Sequence, residues 1–138
     1  FLVASTVNMV IAQRLVRGIC PHCKQSYRLS QKDIVAIGRH SKLIKTMEEM
    51  GIDLAKTDFY KGAGCKNCNN SGYSGRVGVF EILEMSEAIK ELVLKNASAD
   101  QITAQAKADG MKTIMEDGVD KVVSGQTTIE EVLRVTMD

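Results

Sequence analysis

Four cysteines in two Cys-x-x-Cys pairs constrain this chain more than any other feature of its sequence. The pairs are Cys20-Pro-His-Cys23 and Cys65-Lys-Asn-Cys68, and the chain contains no other cysteine. Four thiolates supplied by two tight turns form a complete ligand set for one tetrahedral zinc ion and leave no coordination position open for chemistry. The sequence therefore predicts a structural Zn²⁺ site formed by Cys20, Cys23, Cys65 and Cys68.

The segment between the two pairs is too long for a compact zinc ribbon, in which about 15 to 20 residues separate the turns. We therefore expect a small subdomain to fold between Cys23 and Cys65, with the metal closing it as a clasp. The second pair lies in a glycine-rich stretch, residues 62–72, where the backbone can bend sharply. Iron can occupy four thiolates as well, and the colour of the protein would distinguish it from zinc.

Thiol–disulfide exchange is the first alternative to a metal site. Cys-Pro-His-Cys is also the active-site sequence of periplasmic disulfide oxidoreductases with a thioredoxin fold, where the first cysteine is strongly acidified. In that fold the motif follows a strand and opens a helix, whereas here we expect a helix before Cys20. The second cysteine pair would also lack a role. We therefore favour metal binding over redox exchange.

A zinc-ribbon module that binds nucleic acid is the second alternative, and composition argues against it. The 18 basic and 17 acidic residues leave a net charge of only +1, so the chain as a whole offers no electrostatic footprint for nucleic acid. Aromatic residues make up 4% of the chain and tryptophan is absent, which leaves few platforms for base stacking. We therefore expect no nucleic-acid partner.

The amino-acid composition, with 44% hydrophobic and 25% charged residues, is that of an ordinary globular chain. No apolar run approaches the roughly 20 residues of a membrane span, and no basic segment precedes the first apolar stretch as in a secretory signal. We therefore predict a cytoplasmic location, where paired cysteines more often bind metal than form disulfides. Because the chain starts at Phe1 in the middle of an apolar pattern, we expect it to be a fragment of a longer protein.

The residue pattern predicts an α+β fold that is mostly helical, with a small antiparallel β-hairpin and a zinc-clasped insert. Apolar spacing favours a helix over residues 1–17. Two short helices should follow, the first capped by Ser30 and the second running from about residue 41 to residue 50. β-branched and aromatic residues favour strands at 57–61 and 76–83, on either side of the second cysteine pair.

Beyond Met85 the pattern is helical throughout, with predicted N-caps at Ser86, Ser98 and Thr128. This change of pattern places a soft boundary near residue 85. The expected division of the chain is into residues 1–19, a zinc-binding subdomain at 20–85, and a C-terminal helical subdomain at 86–138.

Three blocks of residues, in this order, resemble the C-terminal region of the ATPases that drive type II secretion and type IV pilus assembly. The first is Ile11-Ala-Gln-Arg-Leu-Val-Arg17 leading into the first cysteine pair. The second combines residues 62–68 with Gly72-Tyr-Ser-Gly-Arg-Val-Gly-Val-Phe-Glu81. The third comprises residues 110–118 and 125–136. The resemblance covers almost the whole chain.

The resemblance implies a parent that is a hexameric cytoplasmic motor using ATP and Mg²⁺. Such a motor associates peripherally with the inner membrane through a platform protein. The resemblance also implies that residues 1–19 form the end of the ATPase core. The rest of that core and the neighbouring subunits are therefore expected partners of this chain. The chain contains no G-x-x-x-x-G-K-[ST] phosphate loop, and we therefore expect no catalytic residue and no ATPase activity in these residues alone.

Other polar residues are expected to play structural roles. Arginines can act on phosphate across subunit contacts in ring-shaped motors, but the sequence favours ion pairs with neighbouring segments for those of this chain. His22 should point away from the metal, and adjacent carboxylates diverge on a helix and should face solvent. The ion pairs are expected for Arg14, Arg17 and Arg76. The solvent-facing carboxylates are the adjacent pairs Glu48-Glu49 and Glu130-Glu131.

Overall fold

A computed structural model describes residues 2–137 and has an α+β fold, as the sequence predicted. The strands in the described part are β1 (Met9–Ile19), β2 (Lys24–Tyr27), β3 (Phe59–Gly62) and β4 (Tyr73–Glu84). The helices are α1 (Leu2–Thr6), α2 (Gln31–Ile37), α3 (Ser41–Glu49), α4 (Glu87–Leu94), α5 (Ala99–Ala108), α6 (Ile114–Val123) and α7 (Ile129–Thr136). One turn of 3₁₀ helix occupies Lys66–Cys68.

The strands form two separate two-stranded sheets. β1 pairs with β4, and β2 pairs antiparallel with β3 in a register that runs from Lys24 opposite Gly62 to Tyr27 opposite Phe59. The predicted strands at 57–61 and 76–83 thus correspond to β3 and β4, although they pair with β2 and β1 rather than with each other. Each cysteine pair lies where the chain passes from one sheet to the other.

The predicted helix over residues 1–17 is wrong for most of its length. Only α1 is helical, and β1 follows it directly; Phe1 lies outside the described residues. The segment is rich in valine and isoleucine, which favour extended backbone, and pairing with β4 satisfies its backbone groups. The end of β1 shows the alternation of a strand, with Val16 buried and Arg17 exposed. A short apolar run of this kind fits both helical and strand spacing, which is why periodicity misassigned it.

Four of the other helices, α2, α4, α5 and α7, begin at the caps that the sequence predicted, because these N-caps are local signals. Ser30 and Ser98 each form a capping box, with Asp33 and Gln101 respectively. Ser86 and Thr128 accept hydrogen bonds from the backbone N–H groups of Ile89 and Glu131. Such side chains satisfy donors that the first helical turn leaves unpaired.

The chain divides into two compact units, each built from two segments that are distant in sequence. The small unit contains the residues up to Gln13 and Phe80–Ile114, and the large unit contains Arg14–Val79 and the residues from Met115 onward. In the small unit, α4 packs against both α1 and α5. The division into 1–19, 20–85 and 86–138 stays a prediction about the parent protein.

The large unit contains the main hydrophobic core. α3, β3, α6 and α7 supply its buried members, which are Leu43, Met47, Phe59, Met115, Val119, Val122, Ile129 and Val132. Residues between the two cysteine pairs therefore pack directly against the last two helices. Within residues 2–137, none of the helices has the length and apolar character needed to cross a membrane.

Candidate metal centre

All four predicted ligands meet at one place in the large unit. Their sulfur atoms lie within 4.8 Å of one another. Cys20 Sγ is 3.8 Å from Cys65 Sγ although 45 residues separate them, and Cys23 Sγ is likewise 3.8 Å from Cys68 Sγ. Cys65 and Cys68 bring their sulfurs to 3.6 Å. The two cysteine pairs therefore form a single cluster that is able to hold one metal ion.

The spacing of the sulfurs fits a tetrahedral thiolate site. A Zn–S bond of about 2.3 Å in a regular tetrahedron requires sulfurs about 3.8 Å apart. The three distances of 3.6, 3.8 and 3.8 Å match that edge. They are far longer than a disulfide bond of about 2.05 Å, and all four cysteines are free. The donor set and its dimensions thus suit zinc and do not correspond to a disulfide.

The first cysteine pair occupies a turn between β1 and β2. Cys20 is fully buried and its N–H donates to the carbonyl of Gly72 at 3.0 Å. Cys23 is partly exposed, and its carbonyl accepts a hydrogen bond of 3.0 Å from Ala63. Backbone bonds therefore tie each end of this turn to the segment that carries the second pair.

The second pair lies on the 3₁₀ turn, which is followed by two left-handed residues. Asn69 and Asn70 have φ values of 53° and 60°, a conformation that asparagine tolerates better than most residues. Gly64 and Gly72 flank the turn with φ values of 97° and 81°. This sequence of left-handed residues folds the chain back on itself, so the glycine-rich composition of the stretch has a geometric cause.

Two glycines allow the strands on either side of the second pair to touch. A Cβ atom added to Gly62 would lie 2.6 Å from the Gly72 Cα atom, closer than any real contact of this kind. The backbone at residue 62, the last of β3, therefore packs directly on the backbone at residue 72, just before β4. This contact closes the loop that carries Cys65 and Cys68.

Backbone N–H groups surround the sulfurs and shift the pKa values of two thiols. Gly64 donates to Cys23 Sγ, while Cys65 and Gly72 donate to Cys68 Sγ, all at 3.3 Å. Burial raises the pKa of Cys23 to about 12, and hydrogen bonds with the other sulfurs add to that effect. Burial also opposes ionisation of Cys68, but the donors from Gly72 and Cys65 outweigh it and lower its pKa to about 6. The backbone donors thus favour the thiolate form of Cys68, which is the form in which a cysteine binds a metal ion.

The first cysteine pair lacks the setting of a thioredoxin-type active site. A helix was expected before Cys20, and this prediction was wrong, since β1 precedes it. Cys20 and Cys23 nevertheless lie in a turn that leads into β2, and no helix begins at them within the described chain. A helix N-terminus is a principal means by which such enzymes acidify the attacking thiol.

Two residues next to the first cysteine pair, His22 and Lys24, lie outside the sulfur cluster. His22 is exposed and does not belong to the sulfur cluster, as expected. The ammonium group of Lys24 lies over the ring of Tyr60, 4.8 Å from its centroid.

A buried carboxylate near the first pair escaped the sequence analysis. Glu130 and Glu131 were both expected to face solvent, and this is wrong for Glu131, whose residue exposure is 1%. Its carboxylate binds Arg17 and Arg134, and its two shortest contacts to them measure 2.7 and 2.8 Å. Burial opposes ionisation, but the hydrogen bonds from Arg134 and Arg17 outweigh it and lower the pKa of Glu131 to about 2. The ion pair expected for Arg17 is thereby confirmed.

A weak sequence signal for this carboxylate exists. Glu131 lies between Ile129 and Val132 on the buried side of α7, and Arg134 follows it by one helical turn. A charge on an apolar helix face generally needs a partner. The partner on β1, however, lies 114 residues away in sequence, and local spacing does not reveal it.

Comparison with known proteins agrees with the resemblance noted in the sequence. The family model for Type II/IV secretion system protein matches residues 1–134, and the chain belongs to this family. The whole chain is 36% identical to Type II secretion system protein E of Aeromonas hydrophila and covers 25% of that protein. It is also 36% identical to Type II secretion system ATPase E of Vibrio cholerae, again covering 25%.

A relative from pilus assembly matches as well. Type IV pilus assembly ATPase PilB of Pseudomonas aeruginosa is 33% identical over the whole chain, which covers 22% of it. The chain thus spans about a quarter of the length of these curated relatives. Relatives named for secretion and relatives named for pilus assembly match it almost equally well.

Proposed function

We propose that this chain is a non-catalytic, zinc-stabilised part of an ATPase that drives type II secretion or type IV pilus assembly. Membership of the family supports the parent role. The observation that carries the zinc proposal is the sulfur cluster, whose edges of 3.6 and 3.8 Å suit a tetrahedral thiolate site.

The proposed zinc is structural. When bound, it supplies folding free energy, which amounts to about 10 to 16 kcal/mol of apparent binding free energy in small structural sites at neutral pH. Hydrogen bonds of the chain itself also hold the two cysteine pairs together, since Cys20 and Cys68 both bond to the backbone of Gly72. The ion and these bonds together would fix the ends of the segment between the cysteine pairs.

The remaining roles belong to the full-length parent. We propose that the parent is a hexameric cytoplasmic motor that binds ATP and Mg²⁺ and reaches the inner membrane through a platform protein. Residues 1–19 would end its ATPase core, residues 20–85 would form the zinc subdomain, and residues 86–138 would form the C-terminal helical part. The lack of a phosphate loop in these residues supports the proposal that turnover depends on other parts of the parent.

Metal analysis and thiol titration of the purified chain test the zinc proposal. We expect one zinc per chain, thiols that resist alkylation until a chelator is added, four reactive thiols afterwards, and no mobility shift of DNA. A colourless protein would distinguish zinc from iron. A metal-free protein whose Cys20 exchanges rapidly with disulfides would refute the zinc proposal in favour of redox chemistry. A DNA shift that weakens steeply with salt would instead favour the nucleic-acid module.

An ATPase assay tests the non-catalytic proposal. The chain should release no phosphate from MgATP above the rate of a boiled sample. Turnover that needs magnesium and follows the chain through successive chromatographic steps would contradict the proposal, whatever the zinc content.

A further inference from the structure

The Glu131 carboxylate binds five donors and sits at the start of α7. Its Oε2 atom accepts the backbone N–H of Arg17 at 2.7 Å and the Nη2 group of Arg134 at 2.8 Å. Its Oε1 atom accepts Nε of Arg17 at 3.1 Å, Nη2 of Arg17 at 2.9 Å and Nε of Arg134 at 3.1 Å. Both arginine side chains are half-exposed while the carboxylate is buried. A carboxylate held by this many donors has almost no freedom to move.

The segment before α7 forms further hydrogen bonds with the end of β1. Thr127 donates from its hydroxyl to the carbonyl of Arg17 at 2.8 Å. The N–H of Ile19 donates to the carbonyl of Gln126 at 3.0 Å. Residues 126–131 therefore bind the backbone of β1 immediately before Cys20, and they fix the point from which the first cysteine pair departs.

The same network reaches the second cysteine pair through Tyr73. The guanidinium of Arg17 lies over the Tyr73 ring, 4.1 Å from its centroid, and the Tyr73 hydroxyl bonds to that of Thr128 at 3.0 Å. The residue before Tyr73 is Gly72, which donates to Cys68 Sγ and accepts from the N–H of Cys20. Glu131 is thus linked through Arg17 and Tyr73 to the backbone of Gly72, to which both cysteine pairs bond.

We propose that Glu131 is a positioning residue for the metal centre, which holds the two cysteine pairs at the separation where four thiolates close on one ion. This inference rests on the proposed zinc site. The carboxylate does not touch the sulfurs; it acts through Arg17 on the first pair and through the Arg17–Tyr73 contact on the second. Its removal should therefore leave the ligand set complete but loosen its geometry.

The test is the rate of zinc release from Glu131→Gln in the 138-residue chain, measured with a chromogenic chelator in excess. Loss of residues that orient metal ligands costs about 10- to 100-fold in metal affinity, so we expect release about tenfold faster than from wild type. Glu130→Gln is the matched control, because it removes the same charge from the neighbouring, exposed position. Val119→Ala controls for a general loss of stability, since Val119 is buried in the core of the large unit.

A spectroscopic readout separates positioning from stability. With Co²⁺ in place of zinc, the ligand-field bands report the symmetry of the four sulfurs, and we expect Glu131→Gln to shift them while Glu130→Gln and Val119→Ala do not. Arg17→Lys provides a second variant in case Glu131→Gln does not fold. It keeps the charge and the backbone bond to Glu131 but loses the guanidinium fork and its stacking on Tyr73, so release should be faster than from wild type, by a smaller factor than for Glu131→Gln.

The outcomes separate this inference from the zinc proposal. Zinc release and Co²⁺ bands equal to wild type in the folded Glu131 and Arg17 variants would overturn the positioning role and leave the zinc site intact. Equal acceleration in Glu131→Gln and Val119→Ala, with unshifted bands, would also overturn it. A wild-type chain that binds neither metal would overturn both proposals.

Discussion

Replacement of Gly62 by alanine should loosen the metal centre by forcing the backbone at residue 62 away from the backbone at Gly72. The added Cβ would lie 2.6 Å from the Cα atom of Gly72, and closer still to its carbonyl oxygen. Because non-bonded carbons rest about 3.5 Å apart, the two backbones must separate by about 1 Å. The obstructing atoms are backbone atoms, which cannot rotate aside as a side chain can.

The cost follows from the contacts that such a separation breaks. Gly72 donates to Cys68 Sγ at 3.3 Å and accepts from the N–H of Cys20 at 3.0 Å, and both bonds would lengthen beyond their useful range. Two lost hydrogen bonds contribute about 1 kcal/mol each, and overpacking adds about 1 to 3 kcal/mol. The free energy of unfolding should therefore fall by about 3 to 5 kcal/mol.

Urea unfolding followed by circular dichroism, with zinc content measured on the same samples, checks this prediction. Gly51→Ala is the matched control. Gly51 has a φ of 74°, but nothing lies within 4 Å of its added Cβ, so only the backbone strain of about 1 kcal/mol applies. If Gly62→Ala unfolds at the same urea concentration as Gly51→Ala and retains a full zinc equivalent, the backbones of Gly62 and Gly72 are not in close contact.

Three further perturbations address the carboxylate, the ligands and the core. The pKa of Glu131 falls from its usual 4.5 to about 2 on folding, so its contribution is complete above pH 4.5 and is lost as the pH drops to 2. Because its arginine partners are half-exposed, we expect that contribution to be about 2 kcal/mol, measured by urea unfolding against Glu131→Gln at each pH. Cys65→Ser should abolish stoichiometric zinc binding and unfold the segment between the cysteine pairs, while α4 and α5 of the small unit stay protected in hydrogen exchange. Phe59→Ala should cost about 3 to 5 kcal/mol in urea unfolding because the ring is fully buried, yet leave one zinc bound.

Each of these expectations can fail in a distinct way. A stability difference between wild type and Glu131→Gln that does not shrink between pH 4.5 and 2 would show that ionisation of this carboxylate does not stabilise the fold. Unchanged zinc content in Cys65→Ser would remove that residue from the ligand set. Loss of zinc in Phe59→Ala under native conditions would mean that the buried ring is itself needed to hold the four cysteines together.

Local signals in the sequence were sufficient for the starts of four helices and for the close approach of two sulfurs. Ser30, Ser86, Ser98 and Thr128 each cap a helix as predicted, because a capping side chain acts on N–H groups only two or three residues away. The Cys-x-x-Cys spacing likewise brings two sulfurs together within a single turn, as Cys65 and Cys68 show at 3.6 Å.

Predictions were wrong where the structure of a segment depends on a partner that is distant in sequence. The apolar run before Cys20 was expected to be helical, but its backbone pairs with β4, which lies beyond both cysteine pairs in the sequence. Glu131 was expected to face solvent, although Arg17 holds it in the interior from 114 residues away. In both cases the energy that decides the outcome comes from a contact that no local window contains.

The sequence by itself determined which atoms are offered to a metal and which family the chain belongs to, since both depend on residue identity and order. Only the tertiary structure decided that the sulfurs of Cys20 and Cys65 lie 3.8 Å apart. That distance requires closure of a long loop. The Gly62–Gly72 backbone contact and the hydrogen bonds from residues 126–131 to β1 hold this loop closed. Closing such a loop costs chain entropy that only non-local packing and bonds can offset.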